Sequence, residues 1–277
     1  MYLRPTTVRD ACRALAARRY VLLAGGTDHY ASRVGERRAE DILDLTAIPA
    51  LRGLRRTRAG WRIGATTTWS DVLGARLPPA FDALKQAARE VGGAQIQNAG
   101  TVAGNLCNAS PAADGVPALL ALDAAVEIGS ADGLRTLPLG EFLLGPRRTA
   151  LRSGELVTAV LVPEPARGTR SRFLKLGARR YLVISIAMVA AAIEAERGKV
   201  VRARLAVGAC SAVAQRLPQL ERALEGTRLG PRLGEAAMPE HLASLAPIDD
   251  VRASAGYRKE AALVLVRRAL DDLGGGA

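Results

Sequence analysis

The amino-acid sequence predicts a mixed α+β fold on three observations. Its 277 residues are 49% hydrophobic, enough to build one large domain or two ordinary ones, each with a buried core. Short apolar runs that end at glycine or proline indicate strands, and helical periodicities fall between them at irregular intervals. Since the regular strand–helix alternation of a parallel doubly wound sheet is missing, an α+β arrangement is favoured.

The first half of the chain alternates short predicted helices and strands. An apolar run that ends abruptly at Gly25 and Gly26 indicates a buried strand followed by a tight turn. The stretch Thr68-Trp69-Ser70-Asp71 marks a helix start, and two glycines stop the next helix. The predicted elements are a helix over 8–17, strands over 21–24, 42–45 and 61–65, a helix from 68–71, and a helix that ends at 92–93.

The second half is predicted to contain more strand. Strands are expected over 125–128, 134–137 and 155–162, and the proline-containing residues 164–170 form the predicted domain boundary. Residues 189–209 indicate a hairpin turning at Arg197-Gly198-Lys199, although the periodicity of the first half of this stretch equally allows a helix. An amphipathic helix is predicted over 257–273.

Composition disfavours several classes of function. The formal charge is +12, but only four of the 39 basic residues are lysines and the arginines are scattered, so an acidic protein partner is favoured over nucleic acid. The three cysteines lie far apart in the sequence, which predicts neither a disulfide framework nor a metal site. No apolar run is long enough to span a membrane and no signal peptide is recognisable, so we expect a cytoplasmic protein.

Two glycine-rich segments carry the strongest functional signal. They read LLAGGTD, residues 22–28, and GTVAGN, residues 100–105, the latter within a predicted loop over 98–115. Glycine lets a ligand approach the main chain, and successive N–H groups in such turns bind anions. Thr27, Thr101, Asn105 and Ser110 add side-chain donors. Each segment alone could be an ordinary turn, and neither has a familiar nucleotide fingerprint, but together they suggest a site for the diphosphate of a dinucleotide.

Five separated segments resemble one family in order along the chain. They are LAGGTD near the N-terminus, residues 92–124 (GGAQIQNAGTVAGNLCNASPAADGVPALLALDA), residues 145–163 (GPRRTALRSGELVTAVLVP), residues 173–180 (FLKLGARR), and Tyr257-Arg258 at the start of the last helix. On these residues the chain resembles the FAD-binding, medium subunit of the molybdenum hydroxylases, which include xanthine dehydrogenase, carbon monoxide dehydrogenase and aldehyde oxidase.

The resemblance implies a set of residues that bind FAD. Ala103 replaces a glycine of the family's second FAD segment, which a negative φ would allow. Asp114 corresponds to an acidic residue at the adenosine end of the cofactor, and Lys175 to a lysine near the flavin ring. The implied cofactor-binding residues are Leu23, Ala24, Gly25, Gly26, Thr27, Asp28, Val91, Thr101, Val102, Ala103, Gly104, Asn105, Ser110, Asp114, Val157 and Lys175.

Three further residues bear on how the cofactor would be held. Ser185 stands where many relatives have the aspartate of D-I-A. Covalent attachment through a histidine after the glycine pair is not expected, because Thr27 occupies that position and His29 lies two residues further on, so the FAD is expected to be non-covalent. Cys107 is interpreted as a small buried residue rather than a reactive thiol.

The same resemblance implies the architecture and the partners. The fold is expected to be of the vanillyl-alcohol-oxidase type, with a FAD-binding domain over 1–165, made of subdomains 1–55 and 56–165, and a C-terminal domain with an antiparallel sheet over 170–277. Molybdopterin would lie on a large partner subunit and the [2Fe–2S] clusters on a small one, in a dimer of heterotrimers. The chain would pass electrons from those clusters to NAD, oxygen or a quinone; a stand-alone flavin oxidase and a cofactor-free module are the alternatives.

Overall fold

The structure, a computed structural model, describes residues 1–33 and 40–275. The strands are β1 Tyr2–Leu3, β2 Val21–Leu23, β3 Ile42–Asp44, β4 Leu54–Thr57, β5 Gly60–Gly64, β6 Ala125–Ser130, β7 Gly133–Pro138, β8 Leu143–Gly145, β9 Arg148–Thr149, β10 Leu156–Pro163, β11 Arg170–Leu176, β12 Ala187–Glu196, β13 Lys199–Gly208 and β14 Gln215–Arg216. The α-helices are α1 Val8–Ala17, α2 Trp69–Gly74, α3 Asp82–Glu90, α4 Ala94–Ala99, α5 Val102–Asn108, α6 Gly115–Ala121, α7 Leu139–Phe142, α8 Pro218–Leu224 and α9 Ala255–Gly275. Short 3₁₀ helices cover Ala31–Arg33, Pro49–Leu51, Pro79–Phe81, Leu233–Ala236 and Pro239–Leu242.

The strands form three main sheets, which confirms the α+β class. β1, β3 and β2 make a small parallel sheet in that order, and β4-β5-β10-β6-β7 make a five-stranded antiparallel sheet. The third sheet, β11-β12-β13-β14, is also antiparallel, and β8 pairs with β9 in a two-stranded ribbon. Helices α3, α6 and α9 pack against the third sheet.

Local capping explains where the first helices begin. The Thr7 side chain accepts the N–H of Asp10 at the start of α1, and Thr68 forms a reciprocal capping box with Asp71 at the start of α2. These bonds satisfy amide groups that have no acceptor within the helix. The helix predicted over 8–17 and the helix start predicted at Thr68 are confirmed.

Strand β12 is buried on both faces. Met188, Ala190 and Ala192 pack into the core of the N-terminal sheets, whereas the alternate residues Val189 and Ala191 pack into a second core with α8 and α9. The hairpin with β13 turns at Arg197 and Gly198, both with positive φ, as the favoured two-residue turn requires. The predicted hairpin is confirmed, and the helical alternative for this stretch is not formed.

Helix α6 is held from its C-terminal end by arginines of the third sheet. Arg204 Nε donates to the carbonyl of Ala121 at 3.0 Å, and Arg216 donates to the carbonyl of Leu120 at 3.1 Å. Both arginines also face the carboxylate of Asp123, which follows the helix. Cations at a helix C-terminus neutralise its free carbonyls, so these contacts fix α6 on the third sheet.

A buried arginine at the start of α9 binds carbonyls beside the ends of two strands. Arg258, 3% exposed, donates to the carbonyls of Ile186 and Ala209 and to the carboxylate of Asp250 at 2.7 Å. The backbone N–H of Arg252 and the guanidinium of Arg258 lower the pKa of Asp250 to about 2. The two carbonyl bonds join α9 to the ends of β12 and β13, and the third joins it to Asp250 in the segment before the helix.

Within the described ranges, no helix combines the length and the apolar character needed to cross a bilayer.

Replacing Arg258 with alanine is expected to lower the free energy of unfolding by about 3 kcal/mol, because the variant leaves the carbonyls of Ile186 and Ala209 without this donor and removes one of the donors to the Asp250 carboxylate. Urea denaturation of the full chain measures this. The matched control is Arg268→Ala in the same helix, whose side chain is exposed and which should change stability by less than about 0.5 kcal/mol. Equal losses in the two variants would contradict the role given to Arg258.

Candidate functional site

A cleft of about 770 Å³ opens at the carboxyl end of β2, between the two glycine-rich segments. Its lining also includes Trp69 of α2, residues that follow α3, and Arg147 from the β8–β9 turn. The residues predicted from the sequence that line this cleft are Leu23, Ala24, Gly25, Gly26, Thr27, Asp28, Val91, Thr101, Ala103, Gly104, Asn105 and Val157.

The remaining predicted residues do not line this cleft. Val102 is fully buried in the core and donates its N–H to the carbonyl of Thr67. Ser110 stabilises the turn before α6, where its hydroxyl accepts the N–H of Ala112. Asp114 and Lys175 lie together in a separate buried cluster described below.

Three amide groups of the first glycine-rich segment have no acceptor within the part of the chain that the structure describes. Gly26 has a φ of +69° and its carbonyl accepts the N–H of Tyr30. The N–H groups of Gly25, Gly26 and Thr27 donate to no acceptor among the described residues. Three consecutive amides without protein partners on the wall of a cleft form the kind of concavity that binds anions.

The second segment is the first turn of helix α5, so the loop predicted over residues 98–115 is wrong in its central part. Thr101 caps this helix by accepting the N–H of Gly104 at 3.0 Å, and the N–H of Asn105 bonds to the carbonyl of Thr101. Ala103 lies within the helix, where φ is negative, so its methyl group is accommodated without strain. The cap outweighs the low helix propensity of Gly104 and Asn105.

The two segments touch backbone to backbone at Gly25. A Cβ atom on Gly25 would lie 1.8 Å from the carbonyl oxygen of Ala99, and one on Gly100 would lie 3.4 Å from Thr27 Oγ1. Only a residue without a side chain fits at Gly25 in this arrangement. The glycine is therefore required for packing of the two walls, independently of any ligand.

Two polar groups on the second wall are likewise without partners in the described ranges. Asn105 Oδ1 is buried and has no donor among the described residues, and no acceptor is found there for the N–H of Ala103. A Cβ on Gly104 would lie 2.7 Å from Thr101 Oγ1, so a side chain at this position would disturb the cap of α5. Unpaired groups on both walls fit a ligand with an anionic centre and hydroxyl donors, as a dinucleotide has.

Arg147 is a cleft residue that the sequence reasoning missed. Its guanidinium donates to Asp28 of the first wall at 2.7 Å and to the side-chain oxygen of Asn108 on the second. The residue has a φ of +58° and its N–H bonds to the carbonyl of Ala109. The sequence offered only its position within the family-like segment 145–163, which gave no reason to single it out.

Asp114, Lys175 and Ser185 form a buried polar cluster. Lys175 Nζ donates to one carboxylate oxygen of Asp114 at 2.7 Å and the Ser185 hydroxyl donates to the other at 2.6 Å. Burial raises the pKa of Asp114, and the charge of Lys175 opposes that rise. The family resemblance implied contacts with opposite ends of the cofactor for Asp114 and Lys175, whereas the structure pairs them with each other.

Two other sequence interpretations concern the surroundings of the cleft. Cys107 is exposed and lines the cleft, so its interpretation as a buried residue is wrong; Leu106, the residue before it in α5, is buried in the core. His29 lines the cleft as well.

Lys175 borders a second groove of about 600 Å³ between α3 and β11, which is rich in arginine.

Comparison with known families identifies two regions of the chain. Residues 1–165 match the family described as the FAD binding domain in molybdopterin dehydrogenase. Residues 172–273 match the CO dehydrogenase flavoprotein C-terminal domain.

Individual relatives cover almost the whole chain. The xanthine dehydrogenase FAD-binding subunit of Escherichia coli O157:H7 is 30% identical, over 98% of this chain and 94% of its own. The nicotine 6-hydroxylase medium subunit of Paenarthrobacter nicotinovorans is 29% identical, over 99% and 96%. A chain of reconstituted CO dehydrogenase from Oligotropha carboxidovorans superposes with a TM-score of 0.88 at 28% identity, covering 99% of this chain and 96% of that one.

Gly25→Ala is expected to lower the free energy of unfolding by about 1–3 kcal/mol, because the added methyl group would overlap the carbonyl of Ala99. Chemical denaturation measures the change. Gly74→Ala is the matched control, since a Cβ there meets nothing within 4 Å. If both variants were as stable as the wild type, the close approach of the two segments would be refuted.

Lys175→Met is expected to make stability more dependent on pH. Without the ammonium, the pKa of buried Asp114 rises further in the folded state, so the folded protein binds this proton more tightly than the unfolded chain does. Stability should then fall more steeply than in the wild type as pH rises from about 4 to about 7. Denaturation at several pH values in this range measures the effect, and Lys199→Met, at an exposed lysine, is the control. Parallel curves of stability against pH for Lys175→Met and the wild type would contradict the pairing of Lys175 with Asp114.

Proposed function

The chain belongs to the family of FAD-binding subunits of the molybdopterin dehydrogenases, and we propose that it is the electron-transfer subunit of a multi-subunit molybdenum hydroxylase. In this role it takes electrons from [2Fe–2S] clusters on a partner subunit and passes them to an acceptor such as NAD, oxygen or a quinone. The substrate is hydroxylated on another subunit and does not contact this chain.

One observation carries the proposal: the unpaired amides of Gly25, Gly26 and Thr27 on the wall of the cleft. A diphosphate bridging two nucleoside halves presents several anionic oxygens that three consecutive N–H groups can bind. The unpaired N–H of Ala103 on the second wall adds a donor from the other side. This arrangement supports binding of the cofactor's diphosphate between the two glycine-rich segments.

The bound flavin supplies the capacity to accept electrons one at a time and deliver them singly or as a pair. The residues of the chain contribute binding and orientation. Val91 and Val157 line the cleft with apolar surface, which suits a planar ring or an adenine, and Asn105 Oδ1 can accept from a hydroxyl of the cofactor chain. The FAD would be held without a covalent bond.

The remaining redox centres are assigned to other subunits. The whole sequence contains three cysteines, fewer than the four thiolates that one [2Fe–2S] cluster commonly takes. We therefore place the clusters on a small partner subunit and molybdopterin on a large one, assembled as a dimer of heterotrimers in the cytoplasm. That the related nicotine 6-hydroxylase protein is a medium subunit supports this division between subunits.

We further propose that the chain divides into a FAD-binding domain over 1–165 and a C-terminal domain over 170–277. The five-stranded sheet is completed by β10, which ends at Pro163, and the third sheet begins with β11 at Arg170. The residues between these strands then connect the two domains.

The decisive experiment is to purify the full chain and to identify the cofactor that acid precipitation releases from it. The proposal requires a flavin absorption spectrum with about one FAD per chain, retained through gel filtration. A chain that stays colourless with added FAD, both alone and with co-expressed partner subunits, would refute the proposal.

Gly104→Val is expected to abolish FAD content while leaving a folded chain, because its Cβ would lie 2.7 Å from Thr101 Oγ1 and would displace the cap of α5 on the wall of the cleft. The flavin-to-protein absorbance ratio and the far-ultraviolet circular dichroism spectrum measure the two quantities. Gly140→Val is the matched control at an exposed glycine with open surroundings, and it should retain its FAD. Full occupancy in Gly104→Val would contradict the assigned cofactor position.

A further inference from the structure

Arg147 joins the two walls of the cleft. Its guanidinium reaches Asp28, which ends the first glycine-rich segment, and Asn108, the last residue of α5. All three residues line the cleft. Among the described residues, the walls therefore meet both at the backbone contact of Gly25 with Ala99 and at this side-chain bridge.

The backbone conformation and the backbone hydrogen bond of Arg147 fix the residue in this position. It adopts a left-handed conformation, with φ at +58°, that is unfavourable for a residue with a long side chain. Its N–H is fixed to the carbonyl of Ala109, directly after α5. An unfavourable conformation maintained next to a binding site is a reason to look for a function of the side chain.

The ion pair between Arg147 and Asp28 lies at the protein surface, where it can break and re-form. The side chain of Arg147 is 62% exposed and that of Asp28 is 49% exposed, so the ion pair is at the mouth of the cleft and is screened by solvent. Breaking it costs little compared with breaking a buried pair. The guanidinium can thus leave its partners without unfolding either wall.

The bridge between Arg147 and Asp28 also affects how the cleft binds an anion. Among the described residues, the lining contains one carboxylate, that of Asp28, and one guanidinium, that of Arg147. An unpaired Asp28 would repel a diphosphate bound to the neighbouring amides of Gly26 and Thr27. Pairing with Arg147 removes this repulsion.

We propose that Arg147 is a positioning residue that retains FAD: its bridge between Asp28 and Asn108 closes the mouth of the cleft over the bound cofactor and must open for the cofactor to leave. The inference rests on the proposed function, since it requires that FAD occupies this cleft. The bridge, rather than charge neutralisation alone, then determines how long FAD stays bound to the chain.

The test measures the dissociation rate of FAD from the full chain, by the rise in flavin fluorescence after a dilution large enough to prevent rebinding. Arg147→Ala should release FAD about three- to tenfold faster than the wild type, the range expected for loss of an exposed ion pair with one further hydrogen bond. Its association rate should be unchanged or faster, because the mouth no longer has to open. Raising the salt concentration should accelerate release from the wild type more than from the variant.

Two variants separate the bridge from its charge. Arg147→Lys keeps the charge but provides a single ammonium in place of the planar fork that reaches two partners, so its release of FAD should be faster than that of the wild type. The double variant Asp28→Asn with Arg147→Ala restores the net charge of the cleft without the bridge. Release from it should remain as fast as from Arg147→Ala.

Each result decides for or against the bridge. Unchanged dissociation from Arg147→Ala, or wild-type dissociation from the double variant, would overturn the inference while leaving FAD binding by the chain intact. A wild-type chain that binds no FAD would instead overturn the proposed function and this inference with it.

Discussion

The backbone contact between Gly25 and Ala99 is the constraint on which the cleft depends. A side chain at Gly25 would overlap the opposite carbonyl, so the end of β2 can reach the second segment only with glycine there. The contact joins parts of the chain that are more than 70 residues apart and brings the amides of Gly26 and Thr27 opposite α5. Since these amides have no acceptor among the described residues, the same contact that closes the cleft on one side leaves its wall able to bind an anion.

The large arginine content serves the packing of the third sheet against α6 and α9. Arg204 and Arg216 neutralise the carbonyl end of α6, and Arg258 does the same for the strand ends beneath α9. Asp114, at the other end of α6, bonds to Lys175 and Ser185 of the third-sheet region. Helix α6 is thus held at both ends by residues that are distant in sequence. Part of the arginine content, which by itself suggests a basic surface, is therefore used for internal contacts.

Local signals in the sequence predicted most of the elements and failed where a contact at long range decided the structure. Strand β12 has an apolar run that allows helix or strand, because both of its faces are buried and the alternation typical of a half-exposed strand is lost. Helix α5 was predicted as loop because glycine and asparagine disfavour helix, while the cap at Thr101 and the burial of Leu106 favour it. Arg147 carries no local signal at all, since its partners Asp28 and Asn108 are distant in sequence.

The polar cluster around Asp114 shows why identifying a residue does not establish its role. The family resemblance selected both Asp114 and Lys175, but only the structure shows that they bind each other. Ser185 completes the cluster by donating to the second carboxylate oxygen. An ionised aspartate at position 185 could only accept hydrogen bonds, so it would leave that oxygen without a donor and place a second negative charge beside it. With serine, one carboxylate faces one ammonium, and the departure from the D-I-A pattern keeps this buried cluster neutral.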